Sequence, residues 1–177
     1  MLTSHLAVIV SATLGADPSS TPDAAMLRYP DIGKQDIVFV FAGNLWLVPK
    51  TGGTARPLTS ASGAETMPRF SPDGTKIAFG ASYDGGRDLY VMPTAGGAPV
   101  RVTHHPAGEQ MNEWTSDGGL LFTASGMEGI AREARLYKVK ETGGLPESMP
   151  VPYGTNGTIS ADGEWLAYTP HSIDTRT

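Results

Sequence analysis

Three tetrapeptides, Ser71-Pro72-Asp73-Gly74, Thr115-Ser116-Asp117-Gly118 and Ser160-Ala161-Asp162-Gly163, place their aspartates 44 and then 45 residues apart. Each is followed by an apolar run: Lys76-Ile77-Ala78-Phe79, Leu120-Leu121-Phe122-Thr123 and Trp165-Leu166-Ala167-Tyr168. A fixed period of this size marks one supersecondary unit used repeatedly. Asp-Gly between two strand-like runs is a hairpin turn, because glycine takes φ > 0 without a steric cost. Pro72 presets φ at the first turn position of its copy. A chain written this way is an array of small antiparallel sheets.

A second marker keeps step with the first. Gly52-Gly53, Gly96-Gly97 and Gly143-Gly144 are 44 and 47 residues apart. Each follows a strand pattern with an aromatic residue near its start: Leu45-Trp46-Leu47-Val48, Leu89-Tyr90-Val91-Met92 and Leu136-Tyr137-Lys138-Val139. Each precedes a short run such as Arg56-Pro57-Leu58-Thr59 or Val100-Arg101-Val102-Thr103. One repeat thus predicts four short strands, near 65–70, 76–81, 87–92 and 98–103 in the best-defined copy. Four strands per unit of forty-odd residues is the blade of a β-propeller. A β-sandwich is the rival, with turns at similar intervals, but two independent markers in one register favour the propeller.

The predicted fold is therefore all-β: a partial β-propeller of four-stranded antiparallel blades, about three blades plus part of a fourth. Residues 1–25 carry no repeat. Residues 26–177 form an incomplete propeller domain with blades near 36–59, 65–103, 109–149 and 156–169. The opening blade shows a second, third and fourth strand, and no first strand is visible upstream of it. The third blade has a longer central loop, 125–134. A ring closes with typically about 4–8 blades, so the expectation is a segment of a longer protein. Such an open ring should leave at least two blade faces uncovered, with Trp165 and Tyr168 the residues most at risk of exposure.

Composition narrows the function classes. The net charge is −5 with no long basic run, which disfavours nucleic-acid binding. The chain has no cysteine, which excludes disulfides, thiol catalysis and cysteine-ligated zinc. The apolar run at 6–10 is far too short for a membrane-spanning helix. Two readings fit residues 1–16: a signal peptide cleaved after Ala12 or Ala16, or a disordered extension. No Lys or Arg precedes the apolar run, so the signal pattern is incomplete.

The scan for catalytic motifs returns no site: catalytic none, cofactor-binding none, metal none. There is no Gly-x-Ser-x-Gly elbow and no His-Glu-x-x-His. His104 and His105 are adjacent on an inter-blade link, where neighbouring side chains diverge and chelate poorly. Asp73, Asp117 and Asp162 supply one carboxylate per turn, too few for a calcium loop, and turn formation accounts for them. Trp46, Tyr90 and Tyr137 occupy equivalent positions and are expected to pack between blades. Asn156-Gly157-Thr158 is a formal glycosylation sequon that also fits a turn.

Tyr29-Pro30-Asp31-Ile32, followed by Ile37-Val38-Phe39-Val40 and Asn44-Leu45-Trp46, together with the Ser-Pro-Asp-Gly blades, resembles the start of the first propeller of the tricorn protease family. The resemblance covers about residues 27–171. The Ser-Pro-Asp-Gly blades alone are less specific, because TolB and prolyl-oligopeptidase-like propellers use similar ones. The resemblance implies the N-terminal part of a six-bladed propeller in a multi-domain serine peptidase that degrades oligopeptides. It also implies a second, seven-bladed propeller and a PDZ-like region in the same polypeptide, assembly as a homo-hexamer, and a cytoplasmic location. An exported location is the alternative if residues 1–16 act as a signal. The family's catalytic serine and histidine lie far C-terminal, so no catalytic residue carries onto this chain. What the segment can inherit is gating of peptides, or a scaffold role. The partners implied are peptides and the rest of the parent polypeptide, with no nucleic acid and no membrane insertion. A TolB-like protein-interaction propeller without peptidase activity is the alternative, and a propeller cap on a prolyl-oligopeptidase-type hydrolase is a further rival.

Overall fold

Gly74, Gly118 and Gly163 sit at φ of 79°, 81° and 77°, in the left-handed region that favours glycine. In each turn the glycine N–H returns to the carbonyl three residues back: Ser71, Thr115 and Ser160, at 2.8, 2.9 and 2.8 Å. The three turns are thus the same structure in three places. The computed structural model describes residues 26–127 and 133–171.

The first sheet runs β1 (Arg28–Ile32), β2 (Asp36–Phe41), β3 (Asn44–Pro49) and β4 (Arg56–Pro57), in that spatial order. The second runs β5 (Glu65–Phe70), β6 (Lys76–Ala81), β7 (Asp88–Pro93) and β8 (Val100–Arg101). The third runs β9 (Glu109–Trp114), β10 (Gly119–Ser125), β11 (Ala134–Lys140) and β12 (Glu147–Ser148). A fourth sheet holds β13 (Gly154–Ile159) and β14 (Leu166–Pro170). All pairings are antiparallel. This is the predicted all-β partial propeller, with three four-stranded blades and a two-stranded one. The first sheet departs from the expectation in one respect: it has a first strand, β1. Pro30 and the half-exposed alternation of 28–32 conceal it in the sequence. Residues 1–25, read as a signal-like or disordered extension, lie outside the described residues.

The first three sheets meet most closely at their first strands, β1 against β5 and β5 against β9, while β13 lies against β10, β11 and β9 of the third. The sheets therefore converge on β1, β5, β9 and β13, as blades do on an axis. Alternation along each strand sends one set of side chains to each face. Val38, Val40, Leu45 and Leu47 of the first sheet pack on Ile77, Phe79, Tyr90 and Met92 of the second. Ala78, Leu89 and Val91 on the other face of the second sheet pack on Met111, Leu120, Phe122 and Tyr137 of the third. Burying each large side chain contributes about 1.5–3 kcal/mol.

The three aromatics do occupy equivalent positions. Trp46, Tyr90 and Tyr137 stand directly across from Phe39, Phe79 and Phe122. The second and third pairs stack at 6.0 and 5.7 Å between ring centroids, and each packs on the preceding sheet.

The exposure expected of the outermost faces holds at one end only. Trp165 is 74% exposed, whereas Tyr168 is half-buried. At the other end Phe39, Trp46 and Val48 are buried, with Leu27, Ile37 and Phe41 packed against them. The Phe41 ring meets Trp46 edge-on at 5.8 Å, so this face has a cover that was not anticipated.

Candidate functional site

The four first strands enclose the groove that the fold offers as a site, a concavity of about 690 Å³. Asp31 to Lys34 come from the first sheet, Met67 and Arg69 to Pro72 from the second, Gln110 to Trp114 from the third, and Asn156 to Thr158 from the fourth. Its lining mixes amides, hydroxyls, two methionines, the Lys34 ammonium, the Arg69 guanidinium and two carboxylates.

Every one of these strands is broken by a bulge at the same place. Between Arg28 and Asp31, Thr66 and Arg69, and Thr155 and Thr158, two residues stand opposite one on the partner strand. In β9 the register shifts between Met111 and Glu113. Tyr29, Met67 and Asn156 take φ of 53°, 50° and 54° in these bulges. Left-handed backbone at residues with a Cβ is uncommon and costs about 1–3 kcal/mol each, and bulges re-aim side chains next to functional sites. Asn156, which fits a turn in the sequence, is thus part of a strand bulge lining the groove.

The bulges bring one equivalent residue per blade, Asp31, Arg69, Glu113 and Thr158, to the walls between blades. Each of the first three reaches forward to the next sheet. An Asp31 carboxylate oxygen accepts the Phe70 N–H at 2.8 Å. Arg69 Nε donates to the Asn112 carbonyl at 2.8 Å, and Nη1 donates to the Pro68 carbonyl at 2.9 Å. Trp114 Nε1 donates back to the Arg69 carbonyl at 2.9 Å. Glu113 accepts the Thr158 hydroxyl at 2.6 Å and also the Ile159 N–H. Backbone groups on the inner strands, which an added strand would otherwise pair with, are therefore capped by side chains. The groove is a polar surface in which the Phe70 and Ile159 N–H groups and the Arg69 and Asn112 carbonyls already have side-chain partners, which suits contact with a ligand through side chains.

The other sequence-predicted residues lie elsewhere. Asp73 and Asp117 sit at the blade turns, where they accept the Ser71 and Thr115 hydroxyls at 2.6 and 2.5 Å; Asp162 accepts the Ser160 hydroxyl in the same way. The Ser71 hydroxyl, with the Thr75 amide and hydroxyl, holds the Asp73 carboxyl down at about 2. The Lys138 ammonium, 2.6 Å away, and the Thr115 hydroxyl hold Asp117 at about 2. His104 is exposed, and His105 Nδ1 accepts the Ala107 N–H at 3.0 Å. Among the described residues no group of three His, Asp or Glu is placed to hold a metal.

Sequence reasoning missed the residues that join the blades. Thr59 and Glu65 recur as Thr103 and Glu109, each pair 44 residues apart, and each makes the same inter-sheet contact. The 44-residue period carries that signal, but nothing in one repeat alone marks a threonine and a glutamate six apart as partners.

The chain matches the family model described as the tricorn protease N-terminal beta propeller domain over residues 24–177. It is 30% identical over 150 residues to tricorn protease homolog 1 of Streptomyces coelicolor, a match covering 84% of this chain and 13% of that protein. The crystal structure of the tricorn protease superposes with a TM-score of 0.67 at 26% identity, covering 78% of this chain and 14% of that one. TolB from Acinetobacter baumannii shares the fold, with a TM-score of 0.69 at 23% identity over 84% of this chain and 39% of that one. The chain thus spans only about an eighth of the length of the curated homolog.

Proposed function

The chain belongs to the tricorn protease N-terminal β-propeller family, and from that premise we propose that it forms part of the wall of an axial passage for oligopeptides. In this reading it serves a tricorn-like serine peptidase by gating substrate or product, and takes no part in bond cleavage. The observation that carries the reading is the groove on the first strands. Its side chains are polar and uncharged at Gln110 and Asn156, and the Phe70 and Ile159 N–H groups of its inner strands are capped by side chains. Amide side chains offer both donors and acceptors, which suits a peptide backbone of any sequence.

The parent polypeptide supplies the remaining blades, the second propeller and the catalytic region, and assembles as a hexamer. It works in the cytoplasm; export is the alternative if residues 1–16 direct it. The second reading, a TolB-like scaffold for folded proteins without peptidase activity, draws support from the shared fold alone.

Anisotropy of a fluorescent peptide of about ten residues, titrated with the chain and with its Gln110→Trp variant, separates the two. The expected result is saturable peptide binding that the bulky substitution weakens at least about tenfold. Absence of peptide binding, with capture of folded proteins unaffected by Gln110→Trp, overturns the passage in favour of the scaffold.

A further inference from the structure

Two seams join the three complete sheets, and each is built on a threonine hydroxyl donated to a buried glutamate of the next sheet. At the first seam Glu65 of β5, 1% exposed, receives the Leu45 N–H at 2.7 Å and the Thr59 hydroxyl at 2.5 Å on one oxygen. Its other oxygen receives the Tyr83 hydroxyl. At the second seam Glu109 of β9, also 1% exposed, receives the Thr103 hydroxyl on Oε2, and Thr103 in turn accepts the Leu89 N–H at 2.9 Å. The residue equivalent to Tyr83 is Gly126, as the cross-strand pairs Glu65–Ala81 and Glu109–Ala124 align them. A glycine brings no hydroxyl. Among the described residues nothing hydrogen-bonds Oε1 of Glu109.

The surroundings of that oxygen are acidic. Asp88, next to Leu89 on β7, is 1% exposed and its Oδ1 is likewise without a partner. Asn44, which bears no charge, stands at the equivalent place in the first seam. Among the described residues Arg101 of β8 is the cation nearby, and its donors are directed elsewhere: Nη2 to Asp88 Oδ2 at 2.8 Å, Nη1 to Asp84 Oδ2 at 3.5 Å, Nε to the Thr103 carbonyl at 2.9 Å. A second negative charge in this enclosure carries both a desolvation penalty and repulsion from Asp88.

The geometry points to Glu109 as a proton-operated latch between the second and third blades: protonated, it holds the seam; ionised, it loosens it. Burial, together with the Asp88 charge, pushes its carboxyl up to about 7. Its proton is then held more tightly in the folded chain than in the unfolded one. Stability from this group is complete below the ordinary carboxylate range and is lost as the pH rises through about 7. Glu109 opens the strand that carries Gln110, Asn112 and Glu113 into the groove, so the latch bears directly on the passage wall.

The test is thermal unfolding of the chain and of Glu109→Gln between pH 5 and 8, with the carboxyl carbon of Glu109 followed by NMR. The Glu109 carboxyl is expected to cost the chain roughly 5 °C in Tm across this range, and Glu109→Gln to keep only the smaller loss that the buried Glu65 carboxyl contributes. The carbon resonance should titrate near neutral pH. Equal pH dependence in the two proteins overturns the latch. So does titration of the Glu109 carbon near 4.5, a readout that stands even where Glu109→Gln fails to fold.

Discussion

Glu113 and Thr158 face one another across the seam between the third and fourth sheets, with the Thr158 hydroxyl donating to Glu113 Oε2 at 2.6 Å. The other carboxylate oxygen takes the Ile159 N–H. One side chain thus caps the inner edge of the next blade with two hydrogen bonds. Hydrogen bonds to charged groups contribute about 1.5–3 kcal/mol each when their partners are removed from water, and less where water reaches them. Glu113→Ala should therefore lower the unfolding free energy by about 1–2 kcal/mol, and Glu113→Gln by less, because the amide oxygen still accepts one bond. Urea melts of both variants check the order; an alanine variant as stable as the parent shows that the strap contributes nothing.

Tyr83 is what distinguishes the first seam from the second, since its hydroxyl donates to Glu65. Tyr83→Phe leaves that buried oxygen unpaired and should destabilise the chain by about 1–3 kcal/mol. It should also make stability depend more steeply on pH. Burial already raises the Glu65 carboxyl, and the Thr59 and Tyr83 hydroxyls oppose that rise. Without Tyr83 it rises further, so more stability is lost as the pH climbs towards neutral. Denaturant melts at pH 5, 6, 7 and 8 measure this, and parallel profiles for the two proteins defeat it.

The acid limb has the opposite sign. Asp73 and Asp117 are held at about 2, below the usual carboxylate range. Each supplies stability that is present above the ordinary aspartate value and is lost as the pH falls through about 2. Asp73→Asn and Asp117→Asn should therefore flatten the loss of Tm between pH 4 and 2. Salt should narrow the difference more at Asp117, an exposed carboxylate whose first partner is the Lys138 ammonium, than at Asp73, which is held by Ser71 and Thr75. Equal salt sensitivity at the two sites contradicts that assignment.

The blades were legible because their markers are local. An Asp-Gly or Gly-Gly pair dictates backbone sign by itself, and the apolar runs beside Gly74 and Gly118 are short, continuous and buried on both faces, as the inner strands of stacked sheets are. β1 was not legible because Pro30 and the bulge at Tyr29 break its alternation over only five residues. The groove was not legible either, since Asp31, Arg69 and Glu113 become equivalent only once the bulges are counted. The Thr–Glu clasp carries a 44-residue period, but it lapses after two copies. Pro150 and Gly154 stand in the third, where Met149 keeps the backbone bond to Leu136 and the side-chain contact is gone.

Trp165 is 74% exposed beside β14, which among the described residues pairs on one side only, with β13. An unpaired strand edge next to a large apolar side chain is a template for pairing with another chain. The chain should therefore associate with itself as its concentration rises, and should bind a hydrophobic dye. Trp165→Lys removes the apolar surface and sets a charge on the edge, so it should lower both behaviours while leaving the other sheets intact. Phe39 and Trp46, at the opposite end, are already buried, so Trp46→Lys should instead unfold the first sheet. Sedimentation velocity across a tenfold concentration range, with dye fluorescence, reads the first effect; circular dichroism reads the second. A monomer at every concentration, with no dye binding, shows that the edge at β14 is protected.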